Sequence, residues 1–136
     1  MNTYFPFTPH AFRYELHKEM HLSAAHFIPA ESAGKCQRIH GHTYQIDLMI
    51  VGDELDANGF LIDFKLLKSI VHDRYDHTLL NEHPEFRVLH PTTEVMAKTI
   101  YTFIQEYLDG TSNKPSCLQV IVRETPTSYV VYRPKK

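Results

Sequence analysis

The sequence predicts an α+β domain in which a four-stranded antiparallel sheet carries two helices on one face, in the order strand, strand, helix, helix, strand, strand. Three observations predict it. Apolar and polar residues alternate over residues 12–24 and again from His40 to Ile50, as half-buried antiparallel strands require. Two stretches, starting at Phe64 and near Thr92, place apolar residues at helical spacing. Two shorter alternating runs then close the chain, and its 136 residues suit one domain.

Residues 1–11 contain Pro6 and Pro9 and show no period, so they read as an arm, with a single domain over residues 12–136. In the first strand Phe12, Tyr14, Leu16, Met20, Leu22 and Ala24 alternate with Arg13, Glu15, His17, Glu19, His21 and Ser23. Extending this parity places His26 on the apolar side, and His17 and His21 on the other. A polar connection over residues 29–39 leads to the second strand, where His40, His42, Tyr44, Ile46, Leu48 and Ile50 share a face. Gly52-Asp53-Glu54 ends that strand, and residues 56–59 form a turn.

Asp63 suits the N-cap of a helix from about Phe64 to His72, with Phe64, Leu67, Ile70 and Val71 on one stripe. A histidine-rich polar connection spans residues 73–91. The second helix starts near Thr92-Thr93-Glu94, whose hydroxyls and carboxylate suit the unpaired amides of a first turn. Met96, Ile100, Phe103 and Tyr107 give it an apolar face, and Gly110 ends it. Leu118, Val120 and Val122 point inward towards Glu124, and residues 125–128 turn into a last strand, Tyr129 to Arg133. A sheet with open edges is expected to pair them, so a homo-oligomer joined through its sheets follows.

The net charge of −2 lacks the basic stripe that nucleic acid demands, and no apolar stretch is long enough to span a bilayer. The first residues have neither a basic n-region nor an apolar core, and only Cys36 and Cys117 are present. A reducing, cytoplasmic location is the expectation. Ten histidines stand out, and the question is which of them do chemistry.

His40 and His42, at i and i+2 on one strand, project from the same face, and a neighbouring antiparallel strand can bring His26 beside them. Three imidazoles suit Zn²⁺ with a fourth position open for chemistry. His17 and His21 have a spacing that binds metal on a helix, but on a strand they stand roughly 13 Å apart, and the zincin motif fails at Lys18. Cys36 is open to three readings: a fourth ligand, a bystander, or a reactive thiolate. Cys117 reads as a small core residue. Asp76-His77 offers a carboxylate beside an imidazole, Glu124 at an inward position needs a partner, and His72, His83 and His90 show no partner pattern.

Taken in order, five segments resemble the motifs of the 6-pyruvoyl-tetrahydropterin synthase/QueD family of the T-fold superfamily. They are Ser23-Ala24-Ala25-His26-Phe27, Cys36-Gln37-Arg38-Ile39-His40-Gly41-His42, Asp76-His77-Thr78-Leu79-Leu80-Asn81, Pro91-Thr92-Thr93-Glu94 and Val122-Arg123-Glu124-Thr125. The resemblance covers about Phe12 to Tyr132. It implies zinc on His26, His40 and His42, with Cys36 as catalytic proton acceptor and Asp76 and His77 as the relay. Glu124 would bind the pterin N3–H and 2-amino group and share in proton transfer, and Thr92 and Thr93 would line the pterin pocket. It further implies a hexamer, a dimer of trimers whose sheets close into a barrel with active sites at subunit interfaces.

Three residues separate Cys36 from His40, which resembles the 6-carboxy-5,6,7,8-tetrahydropterin synthases of the queuosine pathway; animal pyruvoyl-forming members typically have five. The implied reaction converts 7,8-dihydroneopterin triphosphate to 6-carboxytetrahydropterin, acetaldehyde and triphosphate. The sequence has neither a G-x-G-x-x-G run nor a P-loop. Lys35, Arg38 and Lys65 are triphosphate candidates with no better claim than other surface bases. The competing readings are a 6-pyruvoyl-tetrahydropterin synthase on the same fold, a non-catalytic Cys/His₃ zinc module, and a cupin-like oxygenase.

Overall fold

The computed structural model describes residues 6–135 of the chain. Its centre is an antiparallel pair of long strands, β1 (Tyr14–His26) and β2 (His40–Gly52), in register from Tyr14 opposite Gly52 to His26 opposite His40. Helix α1 (Phe64–Tyr75), the short strand β3 (Thr78–Leu79), helix α2 (Thr93–Asp109) and strands β4 (Ser116–Thr125) and β5 (Ser128–Tyr132) follow. The sheet order is β3-β1-β2-β4-β5.

The α+β class with paired helices holds, and the strand count is corrected. The sheet has five strands, and β3 runs parallel to β1 through Ala24–Thr78 and Ala25–Leu79. Two residues are too few to show a period, so this strand left no alternation in the sequence. Helix α1 runs three residues past His72 because Tyr75 is fully buried and extends the apolar stripe.

One face of the sheet is sealed by the helices. Leu22, Tyr44, Ile46, Leu48 and Val120 form a single core with Leu67 and Val71 of α1 and Met96, Ala97, Ile100 and Ile104 of α2. Asp63 caps α1 by accepting from the Lys65 amide, and Thr92 caps α2 by accepting from the Val95 amide. The expected stripes need two corrections, since Phe64 at the first turn of α1 and Tyr107 near the end of α2 are exposed rather than part of the core. In β4 a bulge between the pairs Met49–Gln119 and Ile50–Cys117 lets Leu118 slip out of phase, so Cys117 joins the core instead.

The other face mixes polar residues with the buried apolar side chains of Met49, Val51 and Ile121, and it is partly covered. Gln119 donates to the Pro6 carbonyl, Thr8 donates to Gln119, and Arg133 donates to Thr8, so residues 6–8 lie tied to this face. Residues 1–5 of the expected arm fall outside the described residues.

Asp47, only 7% exposed, sits directly opposite Glu19 on that face, and its Oδ1 is buried without a partner. Burial, reinforced by the Glu19 charge, pushes the Asp47 carboxyl up to about 6. Between about 4, where an unfolded aspartate titrates, and about 6, the folded chain binds more protons than the unfolded one. Stability therefore falls as pH rises through that window, and the contribution is gone above it. Asp47→Asn is expected to raise the thermal midpoint at neutral pH by about 2–4 °C and to flatten the profile between about pH 4 and pH 6. Circular dichroism melts across that range check both effects.

Candidate metal centre and surrounding site

The register of β1 and β2 assembles the site. His26 and His40 are direct cross-strand partners, and His42 is two residues further along the same face. Their ring centroids lie 4.5, 4.9 and 5.3 Å apart. His26 is buried, whereas His40 and His42 are half-buried at the rim. Gly41 between them is exposed, and a Cβ there would meet the Ala24 carbonyl oxygen only at 3.8 Å, an ordinary contact.

Two backbone carbonyls fix the protonation of this group. His26 Nδ1–H donates to the Pro91 oxygen at 2.7 Å, and His40 Nδ1–H donates to the Arg38 oxygen at 2.8 Å. A carbonyl only accepts, so in the neutral rings both Nε2 atoms carry lone pairs. Those two Nε2 atoms face each other at 3.0 Å. Two lone pairs at that separation repel unless a cation lies between them. Burial lowers the His42 pKa, against the opposing pull of Glu124, and so favours the neutral ligand form. Its Nε2 is buried with no hydrogen-bond partner.

Glu124 completes the group. Its Oε1 lies 3.0 Å from His42 Nε2 and 3.3 Å from His26 Nε2. Ligand atoms of His26, His40, His42 and Glu124 all fall within 4.8 Å of one another. Three neutral imidazoles and one carboxylate carry a single negative charge, a donor set that suits a divalent metal ion. Tyr44, on the same strand face, has a buried hydroxyl without a partner, and burial with the Glu124 charge raises its pKa.

Cys36 lies in the 3-10 turns of residues 31–37, which bend at Gly34 (φ +57°), and it is exposed. Its carbonyl accepts from Ile28, and its sulfur is not among the four converging donors. Asp76 ends α1 and is pinned to β1. Its Oδ1 accepts from the Ser23 amide, and the His77 amide donates to the Ser23 carbonyl at 2.6 Å. The Ser23 amide holds the Asp76 carboxyl below its usual range, helped by the charges of His77 and His72.

The Asp76 and His77 side chains do meet, at 3.4 Å, with His77 in the left-handed region at φ +59° and its side chain 82% exposed. His77 and His42 line one cleft together with Ser23 and Thr43. Thr93 is buried in the first turn of α2, directly after Pro91 and Thr92.

Several histidines are placed differently from the expectation. His72, which showed no partner pattern, lies 3.4 Å from Asp76 Oδ2, making this carboxylate shared by two imidazoles. His83 is half-buried, bonded to Thr78 Oγ1 and packed edge-on against Tyr75. His17 and His21 are exposed on the helix-free face, as strand parity requires. Sequence reasoning missed the Pro91 and Arg38 carbonyls, since a carbonyl has no residue-type signature. The i+2 spacing of Tyr44 from His42 on one strand face is the sequence signal that connects its hydroxyl to the site.

A family model described as 6-pyruvoyl tetrahydropterin synthase matches residues 15–135. The chain is 60% identical to 6-carboxy-5,6,7,8-tetrahydropterin synthase of Bacillus subtilis, over 97% of this chain and 93% of that one. It is 31% identical to the protein of the same name from Synechocystis, over 86% and 91% of the two chains. Among solved structures, 6-pyruvoyl tetrahydropterin synthase of Caenorhabditis elegans superposes with a TM-score of 0.73 at 25% identity, covering 90% of this chain and 96% of that one.

Replacing His26, His40 or His42 singly with alanine is expected to remove bound divalent metal, from about one ion per chain to a small residue after desalting. Replacing His17 or His21 is expected to leave it in place. Elemental analysis of the folded variants checks both statements.

Proposed function

The chain belongs to the 6-pyruvoyl tetrahydropterin synthase family, and from that membership we propose that it is a 6-carboxy-5,6,7,8-tetrahydropterin synthase. Its substrate is 7,8-dihydroneopterin triphosphate, and its products are 6-carboxytetrahydropterin, acetaldehyde and triphosphate. The observation that carries this reading is the 60% identity, over nearly the full chain, to a protein of that name. The convergent imidazoles of His26, His40 and His42, the first two locked in tautomer by backbone carbonyls, supply the fitting chemistry.

In this reading those three histidines hold zinc, which when bound supplies Lewis-acid polarisation of the substrate side-chain hydroxyls. The protein's own groups bind the substrate and move its protons. Cys36, in its exposed loop, accepts a proton from the substrate side chain. His77 exchanges protons at its imidazole, and Asp76 fixes that ring from the end of α1. Glu124 binds the two adjacent N–H donors of the pterin, N3–H and the 2-amino group. Thr92 and Thr93 line the pterin pocket beside Pro91. Hydrogen is redistributed within the substrate, so no external redox cofactor enters.

His77 of the relay and His42 of the metal group line one cleft in the single chain, and His77 is open to solvent. Among the described residues the outer edge of β1 is paired only at Ala24 and Ala25, and β5 forms the opposite edge of the sheet. Both support a hexameric dimer of trimers in which sheets join edge to edge and active sites lie at subunit interfaces. Among the described residues no helix is long and apolar enough to cross a membrane; we assign the enzyme to the cytoplasm.

The likeness to the Caenorhabditis elegans structure favours a second reading, 6-pyruvoyl-tetrahydropterin formation on the same fold. Incubation with 7,8-dihydroneopterin triphosphate, with and without chelator, separates the two. Mass spectrometry is expected to find acetaldehyde and the 6-carboxy product, both suppressed by chelator. A 6-pyruvoyl product would overturn the assignment. Cys36→Ala is expected to lower turnover by about 10²-fold or more while retaining metal; loss of metal in this variant would make Cys36 a ligand instead.

A further inference from the structure

We propose that Glu124 is an exchangeable donor, closing the metal site as its fourth ligand when no pterin is bound and leaving it to grip the pterin when one is. The proposal rests on the metal and pterin reading above and assigns Glu124 two alternating partners. A tetrahedral site with ligand bonds of about 2.0–2.1 Å has ligand-to-ligand edges of roughly 3.3–3.4 Å. The Glu124 Oε1 distances to His42 and His26, 3.0 and 3.3 Å, are close to such edges. Glu124 therefore stands where a fourth ligand belongs.

Its surroundings differ from those of a permanent ligand. His26 and His40 are each locked by a carbonyl at the far ring nitrogen. Glu124 has no such anchor: among the described residues no backbone or side-chain donor outside the imidazoles holds its carboxylate. Its backbone is also unpaired on both sides. The β2–β4 ladder ends at Gln45–Arg123, and the β4–β5 ladder skips from Arg123–Tyr129 to Thr125–Ser128, leaving Glu124 on a bulge. Bulges re-aim side chains, and this one has freedom to choose.

The second position is equally concrete. Glu124 lines a cavity of about 630 Å³ shared with His42, Gln45 and Arg123. The carboxylate can thus face either the imidazoles or a planar ligand with adjacent N–H donors. Because one group serves both ligands, pterin and metal affinities are coupled and each weakens the other by the same factor.

Cobalt substitution reads the exchange without turnover. Glu124→Gln keeps the shape and the three imidazoles but replaces the carboxylate with a weaker donor. Co²⁺ bound to the variant is expected to show altered, weaker visible bands and an affinity at least about tenfold lower by chelator competition. Titrating 6-methylpterin, which has no side-chain hydroxyl to reach the metal, into cobalt-loaded wild type should shift its spectrum towards that of the variant. Identical spectra and affinities in variant and wild type would overturn the fourth-ligand role. A wild-type spectrum unmoved by 6-methylpterin would overturn the exchange. Failure of zinc-loaded wild type to form the carboxy product would instead overturn the synthase reading and leave the cobalt result intact.

Discussion

The pairing register of β1 against β2 is the constraint on which the rest depends. It places His26 directly opposite His40 and so brings two imidazole lone pairs to 3.0 Å. The same register puts Leu22 opposite Tyr44 and Met20 opposite Ile46, the apolar pairs that meet the helices. A slip of one residue would turn every one of these side chains to the other face. Core formation and site formation are therefore one event. The hydrophobic pattern that selects the register also selects the imidazole geometry, and the mutual repulsion of the imidazoles is offset only when a cation is held between them.

The helices serve this arrangement as well as covering it. Thr92 caps α2, and the residue before it, Pro91, supplies the carbonyl that sets the His26 tautomer. Proline lends no N–H there, and its carbonyl is free to accept. At the end of α1, Asp76 reaches back to the Ser23 amide, three residues from His26. The relay pair is thus fastened to the strand that carries the first imidazole. The backbone strain at His77, a non-glycine residue at φ +59°, sits where a bond to the Ser23 carbonyl holds it in place.

Much of this was legible in the sequence for a simple reason. Strand parity is a period of two, and it sorted His26, His40 and His42 from His17 and His21 without any structure. Helix caps at Asp63 and Thr92 carry their signature in one residue each. What stayed hidden depends on contacts between distant segments. The parallel strand at Thr78–Leu79 exists only because β1 offers an edge, and the extra turn of α1 exists because Tyr75 finds the core. The slip at Leu118 belongs to a bulge, which alternation cannot announce. The approach of Glu124 to the imidazoles was half-visible: inward parity implied a partner, but the neighbouring strand that supplied His42 was needed to name it.

We propose a metal held by the three imidazoles of one strand pair, with an oxygen donor in the fourth position. X-ray absorption at the zinc edge of the purified, pterin-free protein measures this most directly. A shell of nitrogen and oxygen at about 2.0–2.1 Å is expected, with multiple scattering from three imidazoles and no sulfur. A sulfur shell at about 2.3 Å would place Cys36 on the metal and contradict it.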